Sequence, residues 1–199
     1  MVITMDNNKK DPLEWELIRS ENIVDDEWIQ FRRCAYRFPD GSVFEPFYTY
    51  SRRDYVVIVA TDEAGDYICV RQFRQGIGRV TTEFPAGGIE RSDGKQYGSR
   101  DMSAEDALVA AKRELREETG YESDEWIHLQ DLPSNATIAD NYAYIFAARN
   151  CRKVSGQDLD ETEFLNVKTH TASEVEEMIK SGDFPQAMHV CSYLLSKRV

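Results

Sequence analysis

One segment limits the architecture more than any other. From Ala104 to Thr119 the chain runs through strong helix formers with no glycine or proline, and Gly120 follows as a natural C-terminal stop. Ser103 is placed to cap the first turn, and Asp106 three residues later nearly completes a capping box. A helix of about four turns is predicted. Most of its surroundings read as strand. Trp28–Phe38 alternates and is rich in aromatics, Pro39–Gly41 is a turn signal, and Ser42–Tyr50 returns. Tyr55–Thr61 is an unbroken apolar run, Tyr67–Arg74 follows a turn, and Thr81–Glu90 ends in a Pro/Gly loop. Glu125–Leu132, Asn141–Asn150 and Phe164–Thr171 are further strands, and Ser173–Gly182 and Pro185–Leu195 are terminal helices. Strands and helices alternate without regular βαβ spacing. The expected class is α+β, a mixed sheet clasped by helices. Residues 1–50 form a small antiparallel β unit with too little core to stand alone. Residues 51–199 form the main domain.

The predicted helix breaks a local rule. At 100° per residue, Glu114, Glu117 and Glu118 project within an arc of about 100°. Like charges at these spacings cost an isolated helix roughly a few tenths of a kcal/mol per pair. Glu117 and Glu118 also sit in the last turn, where the dipole disfavours anions. Ala107, Ala110 and Ala111 share that side and are expected to leave room for a loop or ligand. Leu108 and Leu115 are expected to anchor the helix in the core. Two readings fit the helix alone. One is a solvated acidic face balanced by Lys112, Arg113 and Arg116. The other is a nest of hard oxygen ligands for Mg²⁺ or Mn²⁺.

Charge narrows the partners. The 199 residues hold 24 Lys+Arg against 36 Asp+Glu, a net of -12. That argues against nucleic acid and anionic membrane, but not against a small anion met through a bound cation. The N-terminus lacks the apolar core of a signal peptide, and no run is long enough to span a bilayer, so a cytoplasmic location is expected. Cys34, Cys69, Cys151 and Cys191 form no paired motif and are expected as buried or semi-buried free thiols. His128, His170 and His189 share no metal spacing and are expected to be structural or surface residues.

The chain resembles the Nudix hydrolases, whose pattern is G-x5-E-x7-R-E-U-x-E-E-x-G-U, with U a bulky apolar residue. Glu105, then seven residues, then Arg113, Glu114, Leu115, Arg116, Glu117, Glu118, Thr119, Gly120 and Tyr121 follow it. One departure stands out. The leading glycine falls at Gly87, so the polar loop 91–102 is an insertion of 12 residues relative to the pattern. It enters beside the presumed site. The stretch Glu83–Glu90, "EFPAGGIE", is similar to a segment of ADP-ribose and nucleoside-diphosphate-sugar pyrophosphatases.

The resemblance implies a Nudix fold, with the sheet sandwiched between helices. It implies Mg²⁺ or Mn²⁺ held by Glu114 and Glu118, then Glu117, with the Ala86 carbonyl as a further ligand. Arg113 would hold a box glutamate in place, and Glu105 would pair with Arg113 or cap the first turn. A general base is implied in the loop before the last strand, at Glu161, with Glu163 as the alternative. Arg74 and Glu83 are candidate substrate contacts, with mutual pairing as the other reading. Leu132–Thr137 resembles a loop downstream of the box in ADP-ribose hydrolases. Arg52 and Arg53 would reach a partner's site in a homodimer built on the N-terminal unit. The activity implied is hydrolysis of a nucleoside diphosphate sugar, ADP-ribose foremost, to AMP and ribose 5-phosphate. GDP-mannose, a dinucleotide, or a silent nucleotide-sugar-binding regulatory module are the alternatives.

Overall fold

The computed structural model describes residues 11–92, 97 and 104–199. Strands β1 (Glu16–Asp25), β2 (Gln30–Arg37) and β3 (Val43–Ser51) form a three-stranded antiparallel sheet. Gly41 turns β2 into β3 at φ 85°, the left-handed region that favours glycine. Trp15, Tyr36, Phe38, Phe44 and Phe47 cluster on this sheet through edge and tilted ring contacts. β1 is exposed along its whole length.

The larger sheet is mixed. It contains β4 (Tyr55–Asp62), β5 (Tyr67–Arg74), β6 (Arg79–Glu83), β7 (Ala86–Gly88), β8 (Tyr121–Glu122), β9 (Glu125–Pro133), β10 (Tyr142–Lys153) and β11 (Leu165–His170). Its main order is β11-β5-β4-β10-β8, with β6 on β5, β7 on β4 and β9 on β10. β4 and β10 run parallel and the other pairings are antiparallel.

The unbroken apolar run of β4 has a simple cause: both faces of the strand are covered. Val56, Ile58 and Ala60 face helix α1 (Ala107–Thr119), packing with Ala110, Ala111 and Leu115. Val57 and Val59 face the other way, toward α2 (Ala172–Ser181) and α3 (Ala187–Ser196), with Phe84, Val175, Phe184 and Tyr193. The result is a helix–sheet–helix sandwich, as expected from the sequence.

Three details depart from expectation. α1 starts at Ala107, and Asp106 is itself the N-cap, accepting from the Leu108 N–H at 2.9 Å. Ser103, the expected cap, lies outside the described residues. Ala107, Ala110 and Ala111 do not border a ligand space; they are buried core, small enough to seat the helix close on β4. Cys34, Cys69 and Cys151 are buried free thiols, but Cys191 is exposed.

Two junctions position the site. The small sheet is tied to the large one where the Tyr50 N–H donates to Ile138 O at 2.8 Å and Arg32 pairs with Asp140 at 3.0 Å. Ser51 also donates to Asp140. The inserted loop 91–102 has its two ends held together: Arg91 and Ala104 form an isolated bridge, and the Glu105 N–H donates to Glu90 O at 2.8 Å.

Candidate active site

The acidic arc of α1 is turned inward. Glu114 is 7% exposed and Glu118 2%, while the side chain of Glu117 keeps more than a third of its surface. The same helix face that packs its alanines on β4 brings these carboxylates against β7. One Glu118 carboxylate oxygen accepts the Ala86 N–H at 3.0 Å. The Glu114 carboxylate lies directly over Gly87, where a Cβ would come within 2.0 Å of Glu114 Cδ. A side chain at position 87 would therefore displace the Glu114 carboxylate.

Arg113 organises the cluster. One guanidinium nitrogen donates to Glu114 and to Glu117, each at 2.9 Å. The other donates to Gly88 O at 3.1 Å and to Glu105 at 3.2 Å. Glu105 precedes the helix; it pairs with Arg113 and accepts the Glu90 N–H at 3.3 Å. One arginine thus serves three carboxylates.

Burial pushes the Glu114 carboxyl up to about 7, against the pull of Arg113. Glu118 is raised well above the usual range by burial, with the Glu114 charge adding to the effect. In both groups burial outweighs the counter-charge at hand, and hard carboxylate oxygens are the donors that Mg²⁺ and Mn²⁺ take. The donor set fits such a cation. Among the described residues, however, no three carboxylate, imidazole or thiol groups converge on one point. Glu114 and Glu117 are drawn to Arg113 instead.

A cavity of about 740 Å³ opens over β7. Ala86, Gly87 and Gly88 line one wall, and Arg52, Arg53 and Arg74 line others. Trp28, Tyr50 and Tyr55 add aromatic surface. The aliphatic stem of Arg53 packs on Gly88, where a Cβ would lie 2.8 Å from Arg53 Cδ. Buried polar atoms without a protein partner concentrate here: Arg53 Nε, Arg74 Nε and Asn141 Oδ1 all belong to lining residues. Buried polar atoms are normally paired, so such a set points to a polar ligand. A second concavity of about 830 Å³ lies on the outer side of α1, but its Arg116 is engaged by Glu122 at 3.1 Å.

The two expected bases are separated by their loop. Glu163 is part-buried, lines the cavity, and lies near enough for its charge to raise both Glu114 and Glu118. Glu161 is exposed in the preceding turn and does not line the cavity. Of the expected substrate contacts, Arg53 and Arg74 line the cavity and Glu83 does not. Glu83 is fully buried, held by Arg74 on one oxygen and by Gln186 on the other. The pairing reading therefore describes Glu83. Trp28, Tyr50, Asn141, Gln186 and His189 line the cavity without any sequence signal beyond their residue type.

Comparisons with known proteins place the chain in a family. The NUDIX domain model matches residues 51–189. The chain is 27% identical over 172 residues to an ADP-ribose pyrophosphatase of Bacillus subtilis (strain 168), covering 86% of each. It is also 27% identical over 174 residues to a methanol dehydrogenase activator of Bacillus methanolicus, covering 84% of each. A crystal structure of an ADP compounds hydrolase superposes with a TM-score of 0.78 at 19% identity, covering 96% of both chains. With the domain matched over most of its length, this chain belongs to the Nudix family and is a Nudix pyrophosphohydrolase.

Proposed function

We propose that the protein hydrolyses the diphosphate linkage of a nucleoside diphosphate sugar, with ADP-ribose the favoured substrate and AMP and ribose 5-phosphate the products. The observation that carries this is one cavity with two chemistries. Under-neutralised carboxylates lie behind the Ala86–Gly88 wall, and arginines with unpaired donors line the same space as Trp28 and Tyr50. A diphosphate needs positive charge, and a nucleobase stacks on aromatic rings. The cavity has the size usual for a small-molecule site, about 300–1,000 Å³. The Bacillus subtilis relative supports the choice of substrate.

Glu114, Glu117, Glu118 and the Ala86 carbonyl would hold Mg²⁺ or Mn²⁺. Bound there, the cation supplies charge at the phosphoryl oxygens and makes coordinated water more acidic. The chain's own residues do the rest. Arg74 and Arg53 grip the diphosphate with their guanidinium N–H groups. Arg113 keeps Glu114 and Glu117 beside β7. Glu163, in place of Glu161, takes the proton of the attacking water as its oxygen bonds to one phosphorus. The bridging P–O bond breaks, and the other phosphate leaves with its oxygen.

The protein acts as a homodimer in this proposal. Leu17, Ile18, Ile23 and Val24 leave β1 with exposed apolar surface, the kind a second copy covers. Light scattering on the eluting protein should give twice the 22.9 kDa chain mass, and Ile23→Glu should return one chain mass. A cytoplasmic location belongs to the same proposal and is supported by the unpaired buried cysteines.

A substrate panel read by phosphatase-coupled phosphate release tests the activity. ADP-ribose should turn over with Mg²⁺ or Mn²⁺ faster than GDP-mannose or a dinucleotide. A panel left intact with both ions would leave the silent regulatory module as the better account.

A further inference from the structure

Among the cavity side chains that the scheme above does not use is a histidine. His189, in the first turn of α3, is 2% exposed yet lines the cavity wall. Its Nδ1 accepts the backbone N–H of Phe84 at 3.2 Å. A backbone N–H can only donate, so Nδ1 carries no proton, and a neutral ring must carry its proton on Nε2. Burial, assisted by the nearby charge of Arg74, keeps the ring neutral by pulling its pKa down to about 3. Among the described residues no acceptor meets Nε2. Arg74 Nε, a buried donor of another lining residue, also lacks a protein partner. His189 and Arg74 line one cavity, and a diphosphate carries the oxygens that would accept from the Nε2–H.

We infer that His189 is a specificity-determining residue whose Nε2–H donates to an oxygen of the substrate diphosphate, in a tautomer fixed by Phe84. This rests on the diphosphate reading. The donor adds direction without adding charge. The same ring pins the chain two residues before Ala86, so it also positions the wall that carries the carboxylate cluster.

Two substitutions separate the roles. His189→Asn keeps an acceptor near Nδ1 and removes the donor at Nε2; His189→Gln does the reverse. In His189→Asn the thermal midpoint should stay near that of the parent. Its KM for ADP-ribose and inhibition constant for ADP should both rise about tenfold, the size of one lost hydrogen bond. His189→Gln should melt lower and keep both constants within about twofold. Unchanged constants in His189→Asn would overturn the inference, as would losses in both variants that simply track the midpoint. A change for ADP-ribose without one for ADP would also overturn it. Nitrogen-15 spectra of the unsubstituted protein test the tautomer without any variant: a protonated Nδ1 is fatal to the inference. Failure of the parent protein to cleave ADP-ribose would count against the proposed reaction, while the ADP constants and the tautomer would still judge His189.

Discussion

At the scale of single residues, the proposed chemistry turns on one contact and one loop. A methyl group at position 87 would land 2.0 Å from Glu114 Cδ and about as close to both carboxylate oxygens. The carboxylate can swing aside, so Gly87→Ala should fold with a loss of about 1 kcal/mol or less. It cannot swing aside and remain in place, so turnover should fall at least about tenfold; a steady-state assay beside a denaturant melt checks both. The proposed base can be tested as directly. Glu163→Gln should lower kcat by about 10²–10⁴, the usual worth of a general base, and Glu161→Gln should change it little. The reverse order in kcat would return the role to Glu161. Sequence pattern could not separate these two glutamates, because both match an acid before the last strand. The separation arises in the turn, where the Glu163 N–H donates to Asp160 O at 2.9 Å and its carboxylate accepts the Asp160 N–H at 3.2 Å. That fold-back sends residues 161 and 163 to different places. The Arg113 partnership, by contrast, was implied by the family resemblance, and Arg113 pairs with both Glu114 and Glu117.

At the scale of elements, α1 shows how far periodicity reaches. The wheel correctly grouped three alanines with three glutamates on one side. It could not say what that side faces along its length. The alanine end lies over β4 and is core, while the glutamate end reaches β7 and the candidate site. Composition alone does not reveal where a sheet stops. The stop of the helix was readable, because Gly120 adopts φ 73° and returns its N–H to Arg116 O at 2.7 Å. A Cβ there would also come within 2.3 Å of Ser155 O. Gly120→Ala therefore meets both a backbone penalty and a backbone collision. It should cost about 1–2 kcal/mol from conformation alone, and more from the contact, seen as a lower urea midpoint with unchanged slope. Trp28 and His189 were not legible as cavity residues, since one comes from the small sheet and the other from the last helix. Only assembly of the whole chain brings them together.

At the scale of the molecule, the buried carboxylates couple stability to pH and to cations. A carboxyl whose folded pKa is raised stays protonated in the folded chain while the unfolded chain ionises. Its stabilising effect is therefore lost as pH rises from about 4.5 to about 7 for Glu114, and further for Glu118. His189 and His170, both lowered, act in the opposite sense below about pH 6.5. The clean window lies above that. Between about pH 6.5 and 8 the cation-free thermal midpoint should fall, Mg²⁺ should restore it, and Glu118→Gln should flatten the slope while removing activity. A midpoint that climbs through this window would contradict the assigned direction. The mixed sheet and its two-sided core were anticipated in kind, because an unbroken apolar run such as Tyr55–Thr61 fits a strand buried on both faces.

The stapled ends of the loop between β7 and α1 carry a consequence for anyone who wishes to rebuild this enzyme. Because Glu90 bonds to Glu105 and Arg91 bridges Ala104, the strain of a longer insert stops at that clasp and does not reach the helix. Each doubling of the loop adds only about 0.6 kcal/mol of closure entropy. The clasp is a splice point: an epitope or a reporter domain grafted there would ride beside α1 and leave its register alone.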